Sequence, residues 1–207
     1  GPRENVFFDP RKTTAAIVTC GGLCPGINNV IRSLVMGLYY FYGVKKIIGI
    51  PYGYQGLSPD NPHPYYDLTP EKVRDIHQFG GTMLGSSRGA QEVTDMVDAL
   101  VSLRVDMLCT IGDDGTLKGS DAIGQEIARR GLNISVVGIP KTIDNGLRGT
   151  DHCPGFGSAA KFVAQAFMGD NLDNRALPGI KINIIMGRHA GFLTAAAVLG
   201  RQHEDDG

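Results

Sequence analysis

Five short segments of this chain combine glycine with side chains that handle phosphate or protons. In CGGLCPGINN, residues 20–29, paired glycines let backbone N–H groups approach an anion, and a helix starting just beyond offers it a positive end. The spacing is neither GxGxxG nor GxxxxGK[ST], and Gly-Pro-Gly clusters also build ordinary turns, so these residues alone leave both readings open. GGTMLGSSRG, residues 80–89, repeats the logic, with glycines and hydroxyls leading to Arg88, whose planar fork suits bidentate phosphate recognition. GDDGTLKGS, residues 112–120, sets Asp113 and Asp114 on a tight glycine turn ahead of Thr116. Phosphoryl transfer needs a hard cation bridging donor oxygens, and such a turn can hold Mg²⁺ while leaving it waters, with Asp114 the preferred ligand. Standing alone, the same loop reads as a solvated turn with an aspartate cap.

KTIDNG, residues 141–146, carries Lys141, Thr142 and Asp144. A carboxylate within hydrogen-bond reach of an alcohol takes its proton as the bond to phosphorus forms, so Asp144 reads as a general base. An Asx turn at Asp144 and Asn145 is the competing explanation. MGRHAGF, residues 186–192, puts Arg188 at an expected strand-to-helix junction, where its charge suits a substrate phosphate or the transferred group, with His189 a bystander.

A rigid frame must bring such loops together. Apolar runs rich in Ile and Val, at 15–20, 46–50, 106–111, 134–139 and 181–186, predict strands. They alternate with helical patterns over 26–42, 69–79, 116–130, 158–168 and 188–199. A further helix follows Gln91, where Val93, Met96, Val97, Leu100 and Val101 form a stripe expected to lie against a sheet. This order predicts a doubly wound, Rossmann-like α/β fold, a mostly parallel sheet with helices on both faces. Ligands then bind beyond the carboxyl ends of the strands, after residues 20, 111, 139 and 186. Segment 51–68 holds four of the eleven prolines and so interrupts the alternation as a surface excursion, one that reaches toward the site through Tyr54, Gln55, Gly56 and Leu57.

At 207 residues, 42% hydrophobic and 20% charged, the chain can bury a sizeable core. Its formal net charge of −1 comes from scattered charges, and the absence of a basic stripe argues against nucleic acid as a partner. No run approaches the ~20 apolar residues of a bilayer span. GPRENVFFDPRK lacks the apolar core of a signal peptide, so the expectation is a cytoplasmic protein without a membrane partner. Cys20, Cys24, Cys109 and Cys153 form no CxxC pair and read as reduced structural thiols.

Taken together, GGLCPGINNVIR, GTMLGSSRG, GDDGTLKG, PKTIDN and MGRHAGF, in this order, resemble the phosphofructokinase family. The resemblance spans about residues 14–200 and implies phosphoryl transfer to the 1-hydroxyl of fructose 6-phosphate, giving fructose 1,6-bisphosphate, with Mg²⁺ and either ATP or pyrophosphate as donor. By the same resemblance Gly21, Tyr54, Arg88, Gly89, Asp113, Gly115, Thr116 and Lys141 line the donor site and Asp114 positions the metal. Asp144 is then the catalytic base beside Thr142, while Met186, Gly187 and Arg188 face the sugar phosphate, Arg188 also serving catalysis. A homodimer or homotetramer is expected. Residues 1–13 become an N-terminal extension, 14–200 the donor-binding and catalytic first lobe of a two-lobe subunit, and 201–207 a hydrophilic tail or a linker to a second lobe.

Three features depart from the family pattern. GDDGT stands where the family commonly reads GGDGT, so Asp113 adds a negative charge that either repels an anionic donor or adds a metal ligand. Gly146 replaces a second aspartate usual after the asparagine, and family subunits continue into a further lobe. Gly115, where pyrophosphate users typically carry Asp, leaves room for a nucleotide and points to ATP. DHCPGFGSAAKF instead resembles pyrophosphate-dependent branches, and Lys141 occurs in pyrophosphate users and in some ATP users. A catalytically impaired regulatory or binding subunit is the alternative of another class. A dinucleotide-dependent oxidoreductase would need GxGxxG after the first strand, which is absent.

Overall fold

A computed structural model describes residues 5–187 and 189–199, and the contacts within it divide the chain into two compact units, Gly1–Pro140 and Lys141–Gly207. The first unit contains β1 (Thr14–Thr19), α1 (Ile27–Met36) running on as a π-helical turn over Gly37–Tyr42, β2 (Lys46–Ile50), a 3₁₀ turn (Gly53–Leu57) and β3 (Tyr66–Asp67). It continues through α2 (Pro70–Val73), a second 3₁₀ turn (Ile76–Gln78), α3 (Val93–Ser102), β4 (Met107–Gly112), α4 (Asp114–Arg129) and β5 (Ser135–Pro140). The strands form one sheet in the order β3-β2-β1-β4-β5, parallel throughout except for the short β3. The expected doubly wound architecture is therefore present, and the strand order reverses beside β1.

Every residue of β1 is buried, as a central strand covered on both sides requires. Ala16 and Val18, with Cys20 just beyond the strand, share a core with Met96, Val97 and Leu100 of α3 and with Ile123 and Ile127 of α4. The β1-to-β2 and β4-to-β5 crossovers run in opposite directions along the sheet, so right-handed connections put α1 on the face opposite α4. There Ile31 and Val35 of α1 and Ile17 of β1 are fully buried. Val101, expected in the α3 stripe, is 46% exposed instead. It lies roughly 90° around the helix from the centre of the stripe formed by Met96, Val97 and Leu100.

The 51–68 excursion is only half a surface feature. Tyr54 and Leu57 join the core, and Tyr66–Asp67 add the antiparallel edge. Gly56 allows this, since a Cβ there would stand 2.0 Å from the Pro51 carbonyl oxygen.

The second unit holds α5 (Phe156–Ala176) and α6 (Phe192–Leu199), packed around Phe156, Ala159 and Leu193 with Ile143 and Ile185 against them. Here two expectations fail. Residues 181–186 do not form a strand, and Ile182 and Ile184 are exposed. The alternating pattern has β character, but among the described residues of this unit no neighbouring strand offers it a ladder, and an unpaired strand is not stable. The helix expected from 188 starts at Phe192, while the one expected to end at 168 continues to Ala176. Among the described residues, no helix is long and apolar enough to cross a membrane.

Candidate active site

The site in the first unit is built where the strand order reverses, beyond the carboxyl ends of β1 and β4. Pairing of the two strands runs one step past β1, with the Cys20 N–H donating to the Ile111 carbonyl at 3.0 Å. Gly21 then turns sharply at φ 83°, a conformation few other residues tolerate. Its N–H donates to Ser87 O at 3.1 Å, and the Ser86 hydroxyl donates back to Gly21 O at 2.7 Å. The Thr19 hydroxyl donates to Gly85 O at 2.7 Å and lies 2.9 Å from the Thr82 hydroxyl. The 80–88 loop is thus stitched to the end of β1. Between them opens a cleft of about 560 Å³, lined among others by Gly21, Gly22, Gly80, Gly81, Ser86 and Arg88.

The exposed Arg88 reaches back over the first loop. A Cβ on Gly22 would stand 3.3 Å from its terminal guanidinium nitrogen, so glycine at 22 keeps room for the arginine fork. A guanidinium fork at a glycine-lined opening has the chemistry that suits a phosphate or carboxylate. Gly89, at φ 108°, is exposed just beyond it. The Gly21 N–H is already committed to Ser87.

The opposite wall of the turn is the start of α4. Asp113 is its N-cap, accepting from the Thr116 N–H at 3.3 Å and the Thr116 hydroxyl at 3.4 Å. A Cβ on Gly21 would stand 3.0 Å from Asp113 Oδ2, so the carboxylate rests directly over the first glycine loop. Gly112 is obligatory, because a Cβ there would meet Thr116 Oγ1 at 2.2 Å and Cys20 O at 2.6 Å. Asp114 is exposed and pairs with Lys118 at 2.7 Å, one helical turn on. Gly115 is also exposed, and a side chain there would first meet Asp113 Oδ1 at 3.5 Å.

Tyr54 is not among the residues lining the cleft. Its ring is buried in the core, and its hydroxyl donates to Thr116 O at 2.7 Å and lies 3.1 Å from Ser120 Oγ. Ser120 in turn pairs with the Thr110 hydroxyl of β4. Burial pushes the Tyr54 phenol up to about 12. Tyr54 therefore fastens the 3₁₀ turn to the first turn of α4 from below. Burial likewise pushes the Cys20 thiol up to about 12 and Cys109 to about 11, so both stay protonated. Cys24 and Cys153 are buried too, and all four are reduced, as structural thiols should be.

In the second unit the Asp144 N–H donates to Thr142 Oγ1 at 3.1 Å, and the Thr142 N–H donates to Pro154 O at 3.3 Å. Asn145, at φ 52°, takes the local turn role. Its Oδ1 accepts from the Cys153 N–H at 2.7 Å and its Nδ2 donates to Asp151 O at 3.3 Å. A Cβ on Gly187 would stand 4.0 Å from Asp144 Oδ1, which puts the KTIDNG carboxylate next to the MGRHAGF backbone. Lys141 and Thr142 are buried, while Met186 is 67% exposed. Arg188 lies outside the described residues.

Thr19 and Ser120 were not singled out from the sequence, and the hydroxyls of Thr82 and Ser86 hold loops together here. Thr19 ends a strand and Ser120 lies within α4, so only Thr19 had a positional signal. Among the described residues, no three His, Cys, Asp or Glu side chains gather as a metal cage. A Mg²⁺ shared with phosphate oxygens and waters needs only one or two carboxylates, however.

The family model described as Phosphofructokinase matches residues 14–204. The chain belongs to the phosphofructokinase family. It is 48% identical over 200 residues to the ATP-dependent 6-phosphofructokinase of Borreliella burgdorferi, a match covering 96% of this chain and 45% of that protein. To the ATP-dependent 6-phosphofructokinase of Amycolatopsis methanolica it is 47% identical over 206 residues, covering 99% of this chain and 45% of the other. The crystal structure of a pyrophosphate-dependent phosphofructokinase from Marinobacter aquaeolei is similar at a TM-score of 0.80 and 26% identity, over 92% of this chain and 50% of that one. The chain thus spans about half the length of the relatives it matches.

Proposed function

We propose that this phosphofructokinase chain carries the donor site and the base of an ATP-dependent 6-phosphofructokinase, which moves a phosphoryl group onto the 1-hydroxyl of fructose 6-phosphate. The observation that carries the reading is the cleft at the reversal of strand order, where Arg88 overhangs two glycine loops and α4 begins on the far side of Gly21. That is where a doubly wound sheet binds its ligand. The ATP-dependent relatives, at 48% and 47% identity, favour ATP over pyrophosphate, and Gly115, exposed and without a side chain, is consistent with a nucleotide donor.

In this mechanism Arg88 holds donor phosphate oxygens, with Gly21, Gly22 and Gly89 keeping the approach clear. Thr116 and Gly115 border the donor at the start of α4, whose positive end favours its charge. Lys141 adds to the donor side. Tyr54 acts through Thr116 and needs no donor contact. Asp144 accepts the proton of the sugar hydroxyl, and Thr142, by taking the Asp144 N–H, fixes the backbone that aims the carboxylate. Met186, Gly187 and Arg188 bind the sugar phosphate, Arg188 also offsetting charge on the transferred group. Asp114 offers hard carboxylate oxygens that fit Mg²⁺, in place of the ion pair with Lys118. Held there, Mg²⁺ would supply positive charge to offset that of the donor. A cytoplasmic homodimer or homotetramer completes the reading.

The second reading is a binding subunit with impaired catalysis, and it is favoured by the Asp113 carboxylate seated over Gly21. Coupled production of fructose 1,6-bisphosphate with Mg²⁺, comparing ATP and pyrophosphate on the full-length protein and on this chain, separates them. Turnover with ATP supports the first. Binding of fructose 6-phosphate without turnover on either donor establishes the second.

A further inference from the structure

We propose that Asn28 is a positioning residue that pre-forms the cleft, by suspending the Gly80–Thr82 segment from the first turn of α1. Asn28 is 3% exposed, and a buried carboxamide is tolerated only when its donor and its acceptor are both satisfied. Its Nδ2 donates to Phe79 O at 3.0 Å, and its Oδ1 accepts from the Met83 N–H at 2.8 Å. Those two partners bracket Gly80, Gly81 and Thr82, all three of which line the cleft.

A Cβ on Gly80 or Gly81 would meet no atom within 4 Å, so no neighbour crowds the side-chain face of either, and Gly81 adopts φ 74°. Two consecutive glycines are the most mobile backbone the chain can build. A carboxamide offering one donor and one acceptor to the two ends of that segment closes it in the way a strand neighbour would. Leucine would leave both ends unpaired, and aspartate would set a carboxylate against the Phe79 carbonyl. α1 begins directly after the first glycine loop, with Gly26 at its N-cap, so through Asn28 one helix end governs both walls of the opening.

The kinetic half of this inference rests on the donor reading above, and the conformational half does not. Amide hydrogen exchange on the wild-type protein should show the Met83 amide protected well above the open-loop amides around Gly89. In Asn28→Ala, protection at Met83 should fall about tenfold, the loss of one buried hydrogen bond, while β1 and β4 amides hold. In the full-length enzyme the same variant should raise the donor KM by roughly three- to tenfold with kcat and the fructose 6-phosphate KM little changed. A wild-type Met83 amide that exchanges like an open loop overturns the proposal, as does a folded variant with unchanged loop protection or unchanged donor KM. Lost protection at Met83, together with a wild-type protein that binds neither ATP nor pyrophosphate, would instead leave the positioning intact and refute the donor reading.

Discussion

Replacing Asp113 by Gly should tighten binding of the phosphoryl donor, and the expected size follows from two opposed terms. The carboxylate sits where a Cβ on Gly21 would touch it at 3.0 Å, so any phosphate entering over the first glycine loop approaches a fixed negative charge. For a phosphate about 6 Å away, unit charges repel by about 0.7 kcal/mol in a water-like medium and about 2.8 kcal/mol at an effective dielectric of 20. That corresponds to about 3-fold to about 100-fold in affinity. Against it stands the cap. Asp113 holds the Thr116 N–H at 3.3 Å, but glycine is itself an acceptable N-cap, so the loss should be only a few tenths of a kcal/mol. The Thr116 N–H, once released, becomes a donor available to phosphate. Titration calorimetry with ATP and Mg²⁺ on wild type and Asp113→Gly, at low and high salt, measures the outcome, with thermal unfolding as a control. The gain should shrink as salt screens the charge. Weaker binding with an unchanged Tm would refute the reasoning and make Asp113 an aid to the donor, as a metal ligand would be.

Asp144→Asn in the full-length protein should lower kcat by about 10² to 10⁴-fold with little change in Tm, and near-normal turnover would remove Asp144 as the base. Tyr54→Phe should cost about 1–2 kcal/mol of stability, since Thr116 O and Ser120 Oγ lose a buried partner, and a denaturant midpoint equal to wild type would contradict that role. Arg129 and Arg130 hold the Glu126 carboxyl down to about 2 from its ordinary 4.5. The stability it contributes is therefore complete above pH 4.5 and lost as pH falls toward 2, so Glu126→Gln should be less stable than wild type at neutral pH, with the gap closing in acid. A gap independent of pH would sink that assignment. Cys20, with its thiol pushed up to about 12, should resist iodoacetamide at pH 8 in the folded protein and react once unfolded.

Much of the frame was legible because it rests on periodicity. Four of the five expected strands form, and the carboxyl ends of β1 and β4 are where the glycine loops converge. KINIIM misled for a physical reason: apolar alternation reports what a segment would do beside a neighbouring strand, and sequence period carries no information about whether that neighbour is there. The buried half of the 51–68 excursion was hidden behind its prolines. A Cβ at Gly56 would stand 2.0 Å from the Pro51 carbonyl, a close approach that pulls Tyr54 and Leu57 inward and that no local propensity announces.

For the proposed site, residue type suggests a chemistry but not a division of labour. Glycine and Arg88 suit an anion, and the aspartate pair suits a cation or a helix cap. Which polar groups meet the ligand and which hold the loops is decided by where each hydrogen bond goes, and that depends on residues far apart in sequence. Thr116 illustrates the point: its N–H belongs to Asp113, its carbonyl to Tyr54, and its hydroxyl stands 2.2 Å from where a Cβ on Gly112 would be. A residue whose backbone and hydroxyl are engaged in this way holds the loop in shape. Asn28 is the extreme case, since both ends of its buried carboxamide are turned to one loop, the Nδ2 to Phe79 O and the Oδ1 to the Met83 N–H. If the cleft takes a phosphate as proposed, two glycines arrive already ordered, and binding does not have to supply that conformational entropy.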